Sequence, residues 1–168
     1  MKKIFYGYAL VFLTLSFNGI DLLPDFFGYM LIAEGLKNLA AESKHFQTGR
    51  AWAIALFVYS LVWTLLQPVT AGLGQVLTLL IDLVGFAAAM YLLLRLDMGI
   101  AELEAKRGLD LGARGLMKLW PAQLGLALAA SLTGLFAAVP ASILSVAALS
   151  VNVIFLFRLS HIRAVLEE

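Results

Sequence analysis

With 168 residues, 62% of them hydrophobic and only 14% charged, and a mean hydropathy of +0.93, the chain lies far from soluble domains, which run at about 45–50% apolar and about 25% charged. A chain of this size buries only about 70% of its surface, too little to hide so many apolar side chains from water, so the composition excludes a water-soluble domain and predicts an integral membrane protein. The absence of cysteine excludes disulfides, thiolate metal sites and cysteine nucleophiles, and a net charge of +1 excludes the strongly basic face of a nucleic-acid binder.

The predicted fold is all-α, a single polytopic membrane bundle of six transmembrane helices arranged as three hairpins. Its spans fall at about 4–18, 25–40, 51–67, 75–94, 117–138 and 141–157, with a short cytoplasmic amphipathic helix near 97–107. The first apolar block is interrupted by Asn18-Gly19-Ile20-Asp21-Leu22-Leu23-Pro24-Asp25, a run of turn and helix-start residues that reads as a hairpin tip. Asp21 is expected to cap the returning helix, Pro24 to sit in its first turn, and Asp25 to face the positive end of its dipole. Lys2-Lys3 followed by an apolar run has the outline of a signal peptide, but no small-x-small cleavage pattern stands near Ser16 to Asn18, so a retained span is expected.

Two later stretches carry no charge: Ala51 to Ile81, 31 residues, and Leu119 to Phe157, 39 residues. One crossing takes about 20 residues, so each stretch is expected to turn once. The breakers Gln67-Pro68 to Gly74 and Val139-Pro140-Ala141-Ser142 supply the turns. Between spans four and five, Asp97 is expected to cap the 97–107 helix and Gly108 to end it, with Leu96, Ile100 and Leu103 on one face. Arg50-Ala51-Trp52 and Lys118-Leu119-Trp120 open the second and third hairpins alike, a weak internal repeat that interfacial anchoring also explains.

All 12 basic residues fall on the side of both termini in this arrangement. The positive-inside rule then places the protein in the cell's inner (plasma) membrane with both termini cytoplasmic.

An ionisable residue inside a span is expensive and marks a candidate site, and Asp82, seven residues into span four, stands out. Thr78, Asp82, Gly85 and Ala89 recur at helical spacing as a stripe of small and polar residues. Asn18, Asp21, Gln67, Gln75, Thr78 and Asp82 all fall in the outer half, and Asn152 lies on a polar face of the last span; together they outline an outward-facing polar cavity. Glu34 is expected to pair with Lys37 or reach the headgroups, and His45 and His161 to be solvated at the interface. No catalytic, cofactor or metal motif is present, so the sequence points away from an enzyme.

DLLPDFFGY at 21–29, the aromatic first span and the following Ala-Glu-Gly-Leu at 33–36 resemble small multispanning membrane proteins of Gram-positive bacteria that begin with an IDLLPDF-type hairpin. The resemblance covers roughly the first fifty residues, implies a membrane hairpin and brings no activity. It singles out Asp21, Pro24, Asp25, Gly28 and Tyr29. In size and span number the chain is also similar to the substrate-binding subunits of vitamin importers, a likeness of architecture alone.

Two functions follow as expectations. The first is binding or transport of a small solute or cation through the cavity around Asp82. The second is a non-catalytic membrane partner or regulatory subunit whose polar stripes serve packing, with the 95–118 segment as a docking surface for other membrane subunits. The lipid bilayer is the partner common to both.

Overall fold

A computed structural model describes residues 1–12, 16–17, 20–21, 25–70, 74–134 and 138–167. The elements are α1 (Lys2–Phe12), β1 (Ser16–Phe17), β2 (Ile20–Asp21), α2 (Asp25–Leu39), α3 (Lys44–Thr70), α4 (Gln75–Arg107), α5 (Ala113–Gly134) and α6 (Ala138–Glu167). The fold is all-α but for the two-residue ladder of β1 and β2, antiparallel with Ser16 opposite Asp21. Among the described residues three helices, α3, α4 and α6, are long and apolar enough to cross a membrane, and only 17%, 33% and 11% of their apolar windows is buried within the chain. Most of the surface of each is therefore left to lipid or to another protein.

Contacts divide the chain into two compact units, Met1–Gly99 and Ile100–Glu168. In the first, α1 and α2 cross at glycines. A Cβ on Gly7 would stand 2.6 Å from the Gly28 carbonyl oxygen, one on Gly28 would stand 2.7 Å from that of Gly7, and one on Gly35 would meet the Ile4 side chain. Only residues without a side chain let two backbones approach this closely. Ser43 starts α3 as its N-cap, its hydroxyl accepting from the His45 amide at 3.1 Å while its carbonyl takes the Gln47 amide. Phe46 lies against Gly99, and Tyr59 against Gly85, so that α3 packs on α4 through glycine at both points.

Burial in this unit gathers at the end nearest the α2–α3 turn. Ile4, Tyr8, Ile32, Leu36, Phe46, Ala53, Leu92, Leu93 and Leu96 are buried, whereas Val58, Val62, Leu65, Leu77, Leu80 and Val84 are exposed toward the other end.

In the second unit, Glu104 ties the end of α4 to the start of α5. Its carboxylate accepts from the Leu111 amide at 3.0 Å and the Ala113 amide at 2.9 Å, satisfying donors at the α5 N-terminus. Gly108 and Gly112 adopt φ of 63° and 69° in this turn, the left-handed region that favours glycine. α5 packs on α6, and Phe155, Leu159 and Ile162 are buried on α6.

Two expectations are corrected here. No separate helix runs over 97–107: α4 continues unbroken from Gln75 to Arg107, so Asp97 is an interior residue and not a cap. Its neighbours explain why, because Leu92, Leu93, Leu96, Ile100 and Leu103 keep one buried face running through the polar stretch. Asp21 belongs to β2, four residues before α2 begins at Asp25, and its expected capping contact lies outside the described residues, whereas Asp25 holds the dipole-facing first position as expected. Pro140 lies in the first turn of α6, where a missing N–H is tolerated, so the turn expected at 139–142 is helical instead.

Candidate functional site

Asp82 stands exposed on α4, on the side of the helix roughly opposite the exposed apolar residues Leu80, Leu83 and Val84. Among the described residues it has no hydrogen-bond or ion-pair partner. Thr78 and Ala89 are half-buried on the same stripe. Gly85, one turn along, is occupied by the Tyr59 ring, whose hydroxyl donates to the Ile81 carbonyl at 2.7 Å. The stripe is thus divided: its glycine packs on α3 and its acid is left outside that contact. The Tyr59 hydroxyl is close enough for the Asp82 carboxylate to act on it electrostatically.

Of the other predicted residues, Asn18 and Pro24 lie outside the described residues, as do the side chains of Asp21, Gln67 and Gln75. Asn152, on α6 in the second unit, accepts from the Gln123 side-chain amide at 3.1 Å. Gln123, on α5, is buried and was not singled out by the sequence reading. Gly28 and Tyr29 are buried in α2, the first at the crossing with α1. Two threonines of the apolar helices bond within their own helix: Thr64 donates to the Ser60 carbonyl at 2.8 Å and Thr133 to the Ala129 carbonyl at 2.6 Å. Such back-bonding satisfies a hydroxyl in an apolar surrounding without a second helix.

A polar cluster that sequence patterning missed joins α3 and α4 near the buried end of the first unit. The Arg95 guanidinium bonds His45 Nδ1 at 3.1 Å and the Tyr91 hydroxyl, and its centre lies 4.8 Å from the Tyr91 ring. Tyr91 in turn meets Trp52 edge-on at 5.1 Å. His45 is therefore held by a neighbouring helix rather than merely solvated. Glu34 pairs with Lys3 of α1, not with Lys37 as expected, because the glycine crossing brings α1 alongside α2.

Two grooves open on these units. One of about 380 Å³ between α2 and α3 is lined by Met30, Ala33, Glu34, Lys37, Arg50, Ile54 and Phe57. The other, of about 260 Å³ in the second unit, is lined by Leu111, Gly112, Phe157, Arg158 and His161.

Compared with family models, with curated proteins and with solved structures, the chain finds no match.

Proposed function

We propose that this chain is a non-catalytic membrane subunit, inserted in the cell's inner membrane as three hairpins with both termini cytoplasmic, and that the Asp82 face of α4 docks on another membrane-embedded protein. The observation that carries the reading is the exposed position of Asp82, a carboxylate without a hydrogen-bond or ion-pair partner among the described residues, on an otherwise apolar stretch of α4. A carboxyl group at the centre of a span costs about 2.5–3.5 kcal/mol on insertion scales when it faces lipid, and a partner helix that hydrogen-bonds it removes that cost.

A second reading, a small-solute or cation site centred on Asp82, draws on the closeness of the Tyr59 hydroxyl. Charge separates the two. A docking carboxyl that serves as a hydrogen-bonding group is replaced by Asn with little effect, since the amide keeps a donor and an acceptor. A cation or proton site is not.

A photo-crosslinking side chain at Leu83 in cells should yield an adduct with a membrane protein, and Asp82→Leu should abolish it. Purified wild type and Asp82→Asn should show the same melting response to pH, sodium, potassium and amines. Absence of the adduct contradicts the docking reading, and a cation-dependent stabilisation present in wild type and lost in Asp82→Asn assigns the residue to a solute instead.

A further inference from the structure

The groove between α2 and α3 joins two chemistries along one line. Met30, Ala33 and Lys37 follow one another at helical spacing on α2, and Arg50, Ile54 and Phe57 do the same on α3. The two helices are antiparallel neighbours joined by a short turn, so their charged positions meet at the end near that turn, and their apolar positions continue away from it. Glu34, the one acid lining the groove among the described residues, is paired with Lys3 of α1. Lys37 and Arg50 have no ion-pair partner among the described residues. The groove is therefore an apolar trough whose mouth carries two basic side chains and one acid that is already paired with Lys3. Its volume of about 380 Å³ falls in the roughly 300–1,000 Å³ range of small-molecule sites.

We infer that this groove binds an anionic phospholipid, with the phosphate at Lys37 and Arg50 and an acyl chain lying along Met30, Ile54 and Phe57. A soluble anion would leave the apolar trough unused. A guanidinium beside an ammonium suits a phosphate oxygen cluster, and a zwitterionic lipid, which carries the same phosphate, adds a cationic choline that two basic side chains disfavour. The inference stands independently of the Asp82 interface, which lies on another helix.

The test is native mass spectrometry of the full chain in neutral detergent, titrated with phosphatidylglycerol and, separately, with phosphatidylcholine of the same acyl chains. Two basic side chains beside an anionic headgroup predict a preference for phosphatidylglycerol of about 30-fold. The preference should collapse in the double variant Lys37→Gln, Arg50→Gln and persist in Lys118→Gln, a basic residue of the second unit. Ile54→Trp, which fills the trough from an exposed position, should weaken both lipids while leaving melting in detergent close to wild type. An unchanged preference in the double variant overturns the assignment. Displacement of the lipid by glycerol 3-phosphate at matched concentration overturns it as well, because it would show that the headgroup alone is recognised.

Discussion

Asp97 is the residue most at odds with its surroundings. It is fully buried on α4, and neither carboxylate oxygen has a hydrogen-bond partner among the described residues. An unpaired buried polar group costs about 1–3 kcal/mol, and an apolar replacement of the same forked shape removes that cost without opening a cavity. Asp97→Leu is therefore expected to raise stability by about 1–3 kcal/mol in detergent unfolding. A lower melting temperature than wild type would show instead that the carboxyl is held for a purpose beyond packing. The misreading of this residue has a physical origin. An aspartate followed by apolar periodicity is the local signature of a helix start, but the cap signal is worth about 1 kcal/mol, and burial of Leu92, Leu96, Ile100 and Leu103 along one face outweighs it.

Among the elements, the α1–α2 pair depends on backbone approach. At Gly28 an added Cβ meets a carbonyl oxygen, which cannot turn aside as a flexible side chain can. Gly28→Ala should thus destabilise by about 1–3 kcal/mol, whereas Gly125→Ala in α5, where a Cβ meets nothing within 4 Å, should be neutral or stabilise by up to about 1 kcal/mol. Equal effects of the two substitutions on chemical unfolding would remove close packing as the reason for glycine at position 28. Helix order was legible in the sequence because charge-free stretches and their Pro/Gly breakers mark apolar helices directly. The helix ends were less so: α3 starts at Lys44 and α6 extends to Glu167, beyond the charge-free limits, because a helix continues into polar sequence wherever one face stays buried. Of the candidate site, the sequence could show Asp82, a charge conspicuous against apolar neighbours. It could not show the pairing of Gln123 with Asn152, or that Lys37 and Arg50 line one groove, since these depend on which helices lie side by side.

At the scale of the whole molecule, the central proposal is that the chain crosses the membrane six times and returns to the side where it began. Zero cysteines make the claim directly accessible to single-cysteine labelling. α4, with 33 residues, is about 50 Å long and exceeds the roughly 30 Å hydrocarbon core; the proposed arrangement puts Gly74, before its start, outside and its basic C-terminal end, at Lys106 and Arg107, inside. If α5 and α6 both cross, Ala164 near the end of α6 returns to the inside; if only α3, α4 and α6 cross, it emerges outside. The decisive measurement is labelling of Gly74→Cys and Ala164→Cys in intact cells with a membrane-impermeant maleimide. The account predicts that Gly74→Cys reacts from outside and Ala164→Cys reacts only after permeabilisation; reaction of Ala164→Cys in intact cells would contradict it.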